Sequence, residues 1–95
     1  MAEVAISAHQ DIEESLDWLI WQWQRLPEVE REIDDWDLLD QLNFVEEWPL
    51  EEMRLERLER YVVQGVLSLD QLVRYKSLQQ LIAKNRPIIQ RLRAT

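Results

Sequence analysis

Apolar residues in this chain recur at three- and four-residue intervals and nowhere alternate for long. In the stretch "DIEESLDWLIWQWQ", Ile12, Leu16, Leu19, Ile20 and Trp23 fall within an arc of about 100° when wound as a helix. Ser7 and Asp11 each offer an N-cap, with Gln10 or Glu14 three residues on, the capping-box pattern. The spacing therefore predicts a first helix from near Ser7 or Asp11 to about Arg25, with residues 1–6 as a frayed end and Pro27 as its stop or as the first turn of the next helix. Residues 28–47 read as helix in two phases. Val29, Ile33 and Trp36 make one stripe; Leu38, Leu42 and Val45 make a second, rotated one, with Leu39 at its edge. A bend near Asp34–Asp35 reconciles them.

Pro49 disfavours a helical Trp48, so "EEWPLEE" predicts a boundary and a new helix over about 49–64. Leu55, Leu58, Tyr61 and Val62 form its apolar side, and the charges from Arg54 to Arg60 its solvated side. The chain's single glycine, Gly65, stands where a helix end takes a left-handed residue. Ser68 with Gln71 makes a capping box, and Leu67 with Leu72 occupies the positions of a hydrophobic staple. Helix, glycine, short turn and capped helix predict an αα-hairpin over about 50–85. Leu72, Tyr75, Leu78 and Ile82 form the stripe of its second arm, which is expected to end near Asn85. Pro87 then opens a short last turn or helix. The fold class is all-α, a single domain of about four helices. One glycine and three prolines in 95 residues leave too few turn residues for a sandwich or barrel.

Charge divides the chain in two. Residues 1–65 hold 18 acids and 5 bases, whereas residues 66–95 hold one acid and 6 bases, within a total of −8. Arg74, Lys76, Lys84, Arg86, Arg91 and Arg93 form the candidate basic patch, the one plausible seat for a nucleic-acid-associated regulator. The hairpin's second arm nevertheless opens "SLDQLVRY", with an acid where a base-reading helix carries its contacts. With no cysteine there is no disulfide, zinc-thiolate site or thiol nucleophile. A lone histidine, His9, leaves catalytic triads and histidine-bound metals without parts, and one glycine excludes a phosphate loop. The acids of "DDWDLLDQLNFVEE" place Asp35, Asp37 and Glu46 at calcium-loop positions 1, 3 and 12. Leu39 and Asp40 fall where that loop needs an oxygen ligand and a glycine. No catalytic, cofactor or metal site is expected.

Trp18 and Trp21 lie almost opposite the apolar arc of their helix, three residues apart and flanked by Glu14 and Arg25. Either their helix is covered on both sides, by the Pro87–Leu92 tail or the N-terminal "VAI", or the pair is a docking patch. The candidate partner-binding residues are thus Trp18, Trp21, Glu14 and Arg25. The function expected is a non-enzymatic interaction module that meets a basic protein or a second copy of itself. No membrane span, secretory signal or small-molecule substrate is indicated, and a cytoplasmic setting is expected.

Overall fold

The computed structural model describes residues 2–94, with side chains from residue 8 onward. It holds four α-helices: α1 Ala2–Gln24, α2 Leu26–Glu32, α3 Leu38–Gln64 and α4 Leu69–Ala94, with a 3-10 turn at Ile33–Asp35. The helices pack on one another as a small all-α bundle. α1 begins at Ala2, ahead of both expected caps, in a segment containing the strong helix formers Ala2, Glu3 and Ala5. The Asp11 carboxylate does not cap α1; it accepts from Arg57 and from the Tyr61 hydroxyl.

α3 and α4 are the arms of the expected hairpin, and its turn follows the predicted grammar. Gly65 has φ +73°, its N–H donates to the Val62 carbonyl at 3.0 Å, and the Val66 N–H reaches Tyr61. The Ser68 N–H donates to Gln71 Oε1 at 3.0 Å and the Gln71 N–H to Ser68 Oγ at 3.2 Å, closing the capping box. Gln71 is fully buried and also donates from Nε2 toward Glu13, 3.2 Å away, with His9 Nδ1 at 3.1 Å. The cap of α4 is therefore also a tie to α1. Of the expected staple pair Leu67 is buried but Leu72 is exposed, and Gln71 rather than Leu72 stands in the buried row with Tyr75, Leu78 and Ile82.

α1 lies across one side of this hairpin. It runs parallel to α4, with Gln71 level with His9 and Asn85 level with Trp23. It runs antiparallel to α3, with Tyr61 level with Asp11 and Glu51 with Trp18. Ile12, Leu16, Leu19 and Trp23 form the buried seam, with Ile20 at its edge, against Trp48, Leu55, Leu58, Tyr75, Leu78 and Ile89. Salt bridges close the α1–α4 edge, where Arg74 holds both Glu13 and Asp17, and the α2–α4 edge, where Arg91 holds Glu30 at 2.8 Å. Hydrogen bonds from these guanidinium groups hold Glu13 and Glu30 below the usual carboxylate range.

Two expected boundaries are corrected. α3 runs unbroken through Pro49, and α4 through Pro87 to Ala94, so neither a new helix at 49 nor a separate last helix exists. The reason is phase. Phe44, Trp48, Glu51, Leu55 and Leu58 share one face only if the helix continues across residue 49. Trp48 is buried edge-on against Trp23, ring centroids 5.2 Å apart. Burying that indole offsets the ~3 kcal/mol that an interior proline costs. Ile82, Asn85, Ile89 and Leu92 stay in phase across Pro87 for the same reason. Both prolines face outward, where water can reach the carbonyl each leaves without a donor.

Pro27 does break the chain's helix, between α1 and α2. It has no N–H to give the Trp23 carbonyl four residues back. The buried Asn85 of α4 supplies the missing donor, its Nδ2 lying 2.8 Å from that oxygen. The bend expected near Asp34–Asp35 is the 3-10 turn, after which Trp36 adopts extended backbone and α3 starts in a new direction. Its first stripe is not core, because Leu38, Leu39 and Leu42 face water.

The body is long and thin, 48 × 23 × 17 Å, as long as its helices and barely two helix diameters thick. Its radius of gyration, 15.1 Å, exceeds the ~12 Å of a compact chain of this length. Its accessible surface of 6674 Å² exceeds the ~5,800 Å² typical for this mass.

Candidate functional site

Glu14, Trp18 and Trp21 recur at i, i+4 and i+7, so α1 presents all three on its outer face, and Arg25, just past its end, follows on the same side. The structure brings them together. Trp18 and Trp21 meet with centroids 5.4 Å apart, and they remain 40% and 52% exposed. The Pro87–Leu92 tail does not cover them: Ile88 and Ile89 enter the core and Arg91 turns to Glu30. The side chains of the "VAI" segment lie outside the described residues.

The neighbour of the pair is α3. Trp18 Nε1 donates to Glu51 at 2.7 Å, and Gln22 Nε2 donates to the other oxygen of the same carboxylate at 3.2 Å. Gln22 in turn accepts from Arg25 at 3.1 Å. Glu51 is buried, so these two donors hold a desolvated carboxylate and, through it, the tilt of the Trp18 ring. Arg54 lies over the Trp18 ring at 5.5 Å. Arg25 lies over Trp21 at 4.8 Å and over Phe44 at 5.8 Å, and Phe44 meets Trp36 edge-on at 5.9 Å.

The result is a groove between α1 and α3, floored by aromatic rings from Trp18 to Trp36. Five carboxylates (Asp35, Asp37, Asp40, Glu47 and Glu51) and two guanidinium groups line it, while Glu14 and Asp17, the latter held by Arg74, stand beside the tryptophans on α1. At the Trp36 end, Asp35, Asp37, Asp40 and Glu47 form no ion pair among the described residues. Sequence reasoning missed Phe44, Glu51 and Arg54 as members of this site. The signal existed, since 44, 48 and 51 share a helix face, but the boundary expected at Pro49 hid it.

The candidate basic residues do not assemble into one surface. Arg74 is occupied by Glu13 and Asp17, Arg91 by Glu30, and Arg86 lies 3.8 Å from Glu52 and over the Trp23 ring at 5.4 Å. Lys76, Lys84 and Arg93 are exposed at different angles around α4. His9 sits beside Gln71 and Glu13, with its Nε2 4.0 Å from the Glu13 carboxylate. Asp37 stands just ahead of α3, and Leu39, Asp40 and Glu46 lie within it, so the acids of this stretch are set along a helix rather than around a loop. Among the described residues no group of three or more acidic or histidine side chains could hold a metal ion, and no helix is long and apolar enough to cross a membrane. No family model, curated protein or solved structure matches the chain.

Proposed function

We propose that this protein is a non-enzymatic interaction module whose α1–α3 groove docks a basic segment of another protein. One observation carries the reading: a tryptophan pair stays half-exposed in a groove whose charged lining holds more carboxylates than guanidinium groups. Exposed indoles on this scale are enriched at the energetic centres of interfaces. Their faces already carry Arg25 and Arg54, so the same ring chemistry suits an incoming guanidinium or ammonium group. The surplus carboxylates steer such a partner and disfavour acidic ones. They also oppose self-pairing through this face. A cytoplasmic setting belongs to the same proposal. The nucleic-acid alternative has less behind it, because three of the six basic side chains of α4 face acids of the chain itself.

Tryptophan fluorescence titrated with arginine-containing and glutamate-containing peptides tests this. The parent should respond saturably to the basic peptides, less so at high salt, and not to the acidic ones. Trp18→Ala/Trp21→Ala should keep its helical circular dichroism and lose the response, whereas Trp23→Ala should lose the fold. Equal responses in parent and double variant would remove the groove from the account.

A further inference from the structure

The hairpin has a second side, turned away from α1, and near its turn that side is aliphatic. Val63 is 88% exposed, Leu69 83% and Val73 66%, with Val66 and Leu72 also open to water. Leu69, Leu72 and Val73 stand at i, i+3 and i+4, so they form one stripe on the first turns of α4. On a helical wheel, Leu69 and Val73 lie opposite the buried row Gln71, Tyr75, Leu78 and Ile82 that faces α1. Val63, at the end of α3, and Val66, in the turn, extend the stripe across the hairpin. No described side chain of the molecule is left to cover it.

Five aliphatic side chains exposed to this degree make a patch comparable to the ~300–600 Å² of the largest patch on a typical monomer. A standard interface takes ~800 Å² per partner, so the patch supplies more than half of one before its rim is counted. The rim decides the partner. One helical turn from the patch stand Arg60 and Lys76, with Glu59 and Asp70 beside them, two bases and two acids in a chain of net charge −8. Here two copies can approach without the repulsion that the acidic groove imposes, and a two-fold arrangement lets the bases of one copy meet the acids of the other.

We infer that the hairpin side bearing Val63, Val66, Leu69, Leu72 and Val73 is a self-association surface, through which two copies pair back to back. The pairing leaves both α1–α3 grooves outward. It draws on different residues from the proposed function and stands or falls without it.

Sedimentation equilibrium of the full chain over a range of concentrations tests it. The parent should show a monomer–dimer equilibrium. Leu69→Ser/Val73→Ser, which alters exposed positions only, should keep the parent's circular dichroism and, at concentrations where both are monomeric, its melting temperature, yet raise the dimer dissociation constant by about tenfold or more, the equivalent of ~1.4 kcal/mol. Trp18→Ala/Trp21→Ala should dimerise like the parent. A parent that stays monomeric at every concentration overturns the inference. So does a dimer that survives the hairpin variant, or one abolished by the groove variant. The hairpin variant should still answer to basic peptides in the fluorescence titration, which separates failure of this surface from failure of the groove.

Discussion

At the scale of single residues, two buried amides, Asn85 and Gln71, sit where the backbone runs short of partners. Asn85 exists in the core because Pro27 cannot serve the Trp23 carbonyl. Asn85→Ala removes the donor without adding bulk or lowering helix propensity, and strands that carbonyl in the seam beside Trp23. An unsatisfied buried acceptor costs ~1–3 kcal/mol. Urea melts should show a loss of that size; a variant as stable as its parent would mean that water already reaches the site. Gln71 serves a similar double purpose, closing the α4 cap with one end of its amide and holding α1 with the other. Glu51 is the polar residue whose placement matters for the groove, since its carboxylate anchors the indole N–H of Trp18.

At the scale of elements, the two long helices show which local signals survive packing and which are overridden. The Ser68 cap survives, because its hydrogen bonds satisfy orphan N–H groups that nothing else in the turn can reach. Ser68→Ala should cost ~0.5–2 kcal/mol in a thermal or denaturant melt. Pro49 is overridden. Because α3 continues through it, Pro49→Ala should restore the hydrogen bond to the Val45 carbonyl and relieve the ring clash, raising stability by ~1–3 kcal/mol. Were Pro49 the first turn of a separate helix, the same change would leave stability level or lower it. A melt of this one variant therefore decides between a continuous and a broken α3.

At the scale of the whole molecule, thinness and charge set the behaviour. A three-helix layer buries one face of each long helix and leaves the others to water, so aromatic and aliphatic patches persist on both sides. Ion pairs between its outer edges fasten α4 to α1 and α2. The Glu13 and Glu30 carboxyls lie lower in the folded chain than in the unfolded one. Their contribution is thus complete above the ordinary carboxylate range and disappears as pH falls through their depressed folded values. Arg74→Gln/Arg91→Gln should melt below the parent by a constant margin around neutral pH. That margin should close in acid, below the usual carboxylate range. A margin unchanged into strong acid would show that the arginines act through packing of their stems rather than through charge.

Sequence alone determined the features that depend on local chemistry: helical class, the Gly65 turn, the Ser68–Gln71 cap, the buried row from Ile12 to Trp23 and the placement of Trp18 and Trp21 on the opposite side of their helix. Each follows from spacing or from hydrogen bonds within a few residues. Tertiary structure decided what depends on competition between distant segments. Trp48 reads as a helix end beside Pro49, and only the buried face of Trp23 makes a helical Trp48 worth its cost. Arg74, Arg86 and Arg91 read as free positive charge until acids some thirty to sixty residues away in the chain come to stand beside them. Leu38, Leu39 and Leu42 carry a core periodicity, yet stay exposed, Leu38 and Leu42 across an open cleft from Ile33 and Leu92. Periodicity reports which face of a helix is apolar. Whether another element arrives to cover that face is settled by the geometry of the assembled chain.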